Sequence, residues 1–203
     1  MKICLAGVSC VGKTAIGARL AERLACPFHD LDREIETQFG KPLAQLKRQA
    51  RTGQSFRKRF ASVVLSKLLE ADGGFVMALP PSGLMESLHA ILKGGNCVVI
   101  VLEDSAENIL SRITFYDDDS CPITKALTDH ERACYLREIK ADMKYFGRSF
   151  RKADMAVSIA GLDVEGSAAK LEHLLREWQA EGILRQLAAI PPSVPPTRPL
   201  SPQ

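Results

Sequence analysis

No apolar run in this 203-residue sequence approaches the ~20 residues that span a bilayer; the longest, Cys97 to Leu102, has the length of a buried strand. Aromatic residues make up only 6 %, with one tryptophan, and no internal repeat is visible. The formal net charge is just +3, at a pI near 8.5, without the clustered basic field of a nucleic-acid-binding protein. Neither a nucleic acid nor a membrane is therefore expected as a partner. Six cysteines are scattered, with no C-x-x-C pair and no histidine at metal spacing. That pattern points away from structural zinc and from a disulfide framework, and toward a reduced, cytoplasmic setting. The short apolar N-terminus runs into a glycine loop carrying Lys13, so it reads as a strand and not as a signal peptide.

What is present organises itself around Gly7-Val8-Ser9-Cys10-Val11-Gly12-Lys13-Thr14, which fits the pattern G-x-x-x-x-G-K-[ST]. Lys2 to Ala6 before it reads as a buried strand, and Ala15 to Leu24 after it carries apolar residues at helical spacing. Strand, loop and helix aim successive N–H groups, including those of Gly7, Cys10, Val11, Gly12, Lys13, Thr14 and Ala15, at one anion. Lys13 is placed to reach the β- and γ-phosphates of a nucleoside triphosphate, and the Thr14 hydroxyl to ligate Mg²⁺. The expected cofactors are ATP and Mg²⁺.

Pro27-Phe28-His29 reads as a second strand ending in Asp30-Leu31-Asp32, at the edge where α/β folds bind ligands. Asp30 is expected to hold Mg²⁺, directly or through water. Asp32 is expected to orient an acceptor hydroxyl and take its proton; the competing role for the pair is capping the helix that follows. Helices are expected over about 43–50 and 54–71, 85–92, 105–114, 129–146 and 164–189. Strands are expected at 75–79, 97–102 and 156–159. The alternation implies a three-layer α/β/α fold with a mainly parallel sheet, a single domain over 1–189 and an irregular polar segment at about 115–127. Residues 190–203 hold six of the eleven prolines and read as a disordered, solvated polyproline-II tail. Among Lys47, Arg48, Arg51, Arg57, Lys58 and Arg59, most read as solvated helix faces. Arg57, between Phe56 and Phe60, is singled out to grip a carboxylate or phosphate. Arg112 is the candidate to lie over an adenine ring.

These residues together resemble the shikimate kinases, P-loop enzymes of the nucleoside-monophosphate-kinase-like group. The resemblance is closest from Met1 to about Phe60, through the glycine loop, Ile16 to Leu24, Phe28 to Asp32, Ile35-Glu36, Gly40 and Phe56-Arg57. It implies a five-stranded parallel sheet and a mobile lid at about 115–127. It also implies ATP-dependent phosphorylation of a small hydroxy acid, most closely shikimate, by a monomeric enzyme of aromatic amino acid biosynthesis. By position, Thr14 and Asp30 would serve the metal, Asp32 and Arg57 the acceptor's hydroxyl and carboxylate, and Arg112 the adenine.

The departures fall on the acceptor site and the lid. Phe60 stands where the family has a glutamate three residues after the Phe-Arg pair, so no carboxylate is expected to brace Arg57. Pro80-Pro81-Ser82 replaces three glycines, and proline has no N–H to donate. Cys121 precedes Pro122 where the lid carries an arginine, which leaves Lys125 as a substitute cation. The late substrate arginine falls near Tyr145, with Arg148 the nearby cation that would replace it. Cys10 replaces a frequent loop glycine. Two other functions fit these departures: a nucleotide-binding regulatory protein without kinase activity, or a kinase for another acceptor such as a sugar acid.

Overall fold

The computed structural model describes residues 1–116, 122–123 and 126–188. Five strands form one parallel sheet: β1 (Lys2–Ala6), β2 (Phe28–Asp30), β3 (Phe75–Ala78), β4 (Cys97–Glu103) and β7 (Met155–Ser158), in the order β2-β3-β1-β4-β7. β1 lies at the centre, with Leu5 opposite Ala78 on one side and Ile100 on the other. β1, β3 and β4 are buried on both faces, which is why they read as continuous apolar runs without alternation.

Helices cover both faces. On one, α2 (Leu31–Phe39), α3 (Leu43–Gln49), α5 (Ser62–Glu70) and α6 (Glu86–Gly94) bury Leu31, Ile35, Leu46, Leu65 and Leu88. On the other, α1 (Lys13–Arg23), α7 (Ala106–Ser111) and α9 (Val164–Ala188) bury Ile16, Leu20, Ile109 and Leu171. α1 and α9 are also joined by charge. Arg23 reaches Glu165 at 2.5 Å and Glu172 at 2.6 Å, while Arg19 bonds Glu165 and Arg176 bonds Glu172. This network holds the helix that carries the glycine loop against the last helix of the sheet. α8 (Asp129–Phe150) packs against α7 and against the 3₁₀ turn Pro81–Leu84, near the C-terminal ends of the strands.

Two segments differ from the sequence expectation. The single helix expected over 54–71 is instead α4 (Gly53–Phe56), a π turn (Arg57–Ala61) and α5. The wide turn lets Phe56, Arg57, Phe60 and Ala61 all be buried, with Phe60 edge-on to Phe39 at 5.0 Å. The segment expected to be irregular contains a two-residue antiparallel ladder, β5 (Phe115–Tyr116) with β6 (Pro122–Ile123). Cys121 and Lys125 of the expected lid, and the proline-rich 190–203, lie outside the described residues. No helix among the described residues is long and apolar enough to cross a membrane.

β3 passes into the 3₁₀ turn through Leu79, which is fully buried, and Gly83 packs on it so closely that a Cβ at Gly83 would stand 2.7 Å from the Leu79 Cβ. Gly83→Ala should therefore destabilise the fold by about 1–3 kcal/mol, read from urea unfolding. Unchanged stability would mean that the turn moves freely on the strand.

Candidate active site

The C-terminal ends of all five strands lie along one edge of the sheet, and β1 sits where strand order reverses, so the loop after it opens into the crevice between β3 and β4. The loop is shaped by left-handed backbone. Gly7 has φ +143° and Gly12 φ +108°, and a Cβ at Gly7 would lie 2.9 Å from the Leu102 carbonyl oxygen. Only glycine fits there. Cys10 also adopts φ 60°, a conformation that favours glycine, and holds its side chain exposed.

Lys13 is the first residue of α1 and is buried. Its ammonium donates to the carbonyls of Gly7 at 3.0 Å and Val8 at 2.7 Å. Burial lowers its pKa to about 8, against the opposing pull of Cys10, Asp32 and Asp30. The Thr14 hydroxyl donates to Asp30 Oδ2 at 2.8 Å, and Asp30 Oδ1 accepts from the Asp32 N–H at 3.1 Å. Asp30 thus caps α2, the competing role weighed for it from sequence, while its second oxygen meets Thr14. The loop amides, the closeness of Leu102 to Gly7 and a buried ammonium fit a polyphosphate. The paired hydroxyl and carboxylate fit Mg²⁺, a cation that takes one or two protein oxygens and fills its octahedron with phosphate and water.

Beside the loop lies an open cavity of about 520 Å³ bounded by Ser9, Asp32, Lys47, Arg57, Pro81 and Phe146, among others. Asp32 and Arg57, on separate elements, face the same space. Burial, and Asp30 close by, push the Asp32 carboxyl above its ordinary range; Lys47 and Lys13 pull the other way without winning. Arg57 is only 9 % exposed and lies 3.5 Å from Glu86, so a carboxylate does brace it, from α6 instead of from position 60. Pro80 and Pro81 form a wall and leave the cavity open. Lys47 of α3 and Arg51, which follows the helix in a left-handed conformation (φ 61°), also line it; both belong to the cluster read from sequence as mostly solvated, and no local pattern set them apart from it. Asp142 of α8 lines the cavity too, and nothing in the sequence marked it.

Arg148 and Arg112 do not line this cavity. α8 turns Asp142 and Phe146 toward the cavity; Arg148, two residues on from Phe146, is exposed and does not line it. Tyr145 is exposed as well. Arg112 is engaged at 2.6 Å by Asp104, whose side chain is fully buried. Burial would raise the Asp104 carboxyl, but the amide of Asn108, the Ser105 N–H and Arg112 together hold it below the ordinary range. A second cavity, of about 470 Å³, lies beside Asp104 between β4, β7 and α8 and touches the glycine loop at Val8.

The family model described as shikimate kinase matches residues 9–156. A shikimate kinase from Thermus thermophilus is 31 % identical over 183 residues, 89 % of this chain and 93 % of that protein. One from Symbiobacterium thermophilum is 39 % identical over 118 residues, 55 % of this chain and 63 % of that protein, so there the match spans less than two thirds of the relative. Among solved structures, the shikimate kinase of Bacteroides thetaiotaomicron superposes with a TM-score of 0.70 at 22 % identity, covering 87 % of this chain and 98 % of that one, a likeness of fold.

The state of Lys13 makes the site sensitive to pH. A phosphate beside the ammonium favours its charged form, so ATP should raise the Lys13 pKa above its free value of about 8 and binding should take up a proton. Affinity should then fall as pH rises through 8 and above. Calorimetry in buffers of differing ionisation enthalpy, in a Cys10→Ser background that removes the neighbouring thiol, checks this. Affinity that is flat from pH 7 to 9.5 would contradict it.

Proposed function

The chain belongs to the shikimate kinase family, a family of ATP-dependent small-molecule kinases, and from that premise we propose that it transfers the γ-phosphoryl group of ATP to a hydroxyl of a small carboxylated hydroxy acid, with shikimate the first acceptor to test. The observation that carries this reading is that Asp32 and Arg57 line one open cavity, next to Ser9 of the glycine loop.

Phosphoryl transfer asks of a protein mainly positioning and charge. Here the loop amides and Lys13 would hold the phosphates, and Lys13 would follow charge onto the moving phosphoryl oxygens. Bound Mg²⁺ would neutralise phosphate charge, held from the protein side by Thr14 and Asp30. Asp32, with its proton affinity raised by burial, would orient the acceptor hydroxyl and take its proton. Arg57, with Lys47 and Arg51 in the same cavity, would fix the acceptor's carboxylate. Pro80 and Pro81 would select by shape where backbone amides would select by hydrogen bonds. The carboxylate of Asp142, on the side of α8, would accept from a further hydroxyl of the acceptor.

With Mg²⁺ and ATP, shikimate or a related hydroxy acid should drive ADP release in a coupled assay. Asp32→Asn should lower kcat by about 10²–10⁴-fold while the rise in Tm caused by ATP·Mg²⁺ is retained. Stabilisation by ATP with no turnover across a panel of hydroxy and sugar acids would reject the kinase reading in favour of a nucleotide-binding regulator.

A further inference from the structure

Arg57 is held from more directions than a residue lining a cavity requires. Its backbone opens the π turn, and the Ser62 hydroxyl donates to its carbonyl at 2.8 Å. The same hydroxyl lies 3.4 Å from the Ser87 hydroxyl of α6. The guanidinium Nη2 is 3.5 Å from Glu86 Oε2, the residue before Ser87. The Nη1 end lies against Gly53, where a Cβ would stand 3.4 Å from it, while Nε is buried without a hydrogen-bond partner among the described residues. Two consecutive residues at the start of α6 therefore hold Arg57, one at its charge and one through Ser62 at its backbone.

Glu86 reaches this position at a cost. It has φ 44°, in the left-handed region that side chains other than glycine and asparagine rarely adopt. Its side chain is half exposed, so burial does not force that geometry on it. Lys47 and Arg51 share the cavity with Arg57, and three cations in one space repel one another. A carboxylate behind one of them neutralises part of that repulsion and fixes the direction in which the guanidinium points.

We propose that Glu86 is a positioning residue for the acceptor: it holds Arg57 from outside the cavity so that the guanidinium presents a fixed fork to a carboxylate inside. The proposal rests on the reading of Arg57 as the acceptor's carboxylate receptor. Glu86 touches neither substrate nor phosphate and acts only through Arg57. The alternative is that Glu86 merely complements the dipole at the start of α6, in which case its substitution changes stability alone.

The test is a cycle of wild type, Glu86→Gln, Arg57→Ala and the double variant, with Glu86→Asp as the conservative control. Steady-state kinetics and thermal unfolding are read on the same samples. In Glu86→Gln, the KM for the hydroxy acid should rise about tenfold, with kcat and the KM for ATP within about twofold of wild type. Glu86→Asp should restore part of the loss. In the Arg57→Ala background, Glu86→Gln should add no further effect. An unchanged acceptor KM in Glu86→Gln, or an equal loss with and without Arg57, overturns the proposal. If wild type turns over no acceptor, the kinase reading fails first. The Tm cycle then decides for Glu86: additive shifts remove the coupling to Arg57, and non-additive shifts keep it.

Discussion

Lys13 is buried against the loop that carries it, giving hydrogen bonds to the Gly7 and Val8 carbonyls, and burial has drawn its pKa down to about 8. An ammonium in that position is held by dipoles where it would be better held by an anion, and the rest of the site is arranged around that need. Gly7 and Gly12 take backbone that others cannot, so that loop amides and the start of α1 face the same point. The ion-pair network between α1 and α9 keeps that helix in place behind the loop. Asp30, at the end of β2, spans the gap from the other side through Thr14.

The cavity beside the loop has a different construction. Its groups come from well-separated places in the chain: Ser9 of the glycine loop, Asp32 after β2, Lys47 to Arg57 from α3 to the π turn, the prolines after β3, Leu88 of α6, and α8. Arg57 among them is held by neighbours, Glu86 at its guanidinium and Ser62 at its backbone. Such a surface changes by substitution without disturbing the sheet. A family can thus keep its phosphate loop intact while the acceptor side departs from pattern at Phe60, Pro80 and Pro81.

How far the sequence could be read follows the same division. The P-loop, the buried strands and Asp30-Leu31-Asp32 were legible because each is specified by residues within a few positions of one another. The π turn at Arg57–Ala61 was not, since it goes with the simultaneous burial of Phe56 against Phe60 and of Phe60 against Phe39, the latter a contact made across the fold. The lost brace at position 60 was legible as a loss, but its replacement by Glu86 was not: the two residues are far apart in sequence, and Glu86 reaches Arg57 only through a backbone conformation that its own type disfavours. Arg148 illustrates the reverse error, a cation near the expected position that the helix turns away from the cavity.

By itself the sequence determined what lies on the donor side, because phosphate binding depends on backbone geometry that glycine spacing encodes locally. It also determined the α/β class, through continuous apolar runs separated by helical segments. Only the tertiary structure decided which charges meet at the cavity beside the loop. Lys47, Arg51, Arg57 and Asp142 share one space, and Glu86 stands behind Arg57, because α3, the π turn, α6 and α8 converge on one sheet edge. That convergence is set by how helices bury their apolar faces on the sheet, which no local pattern records.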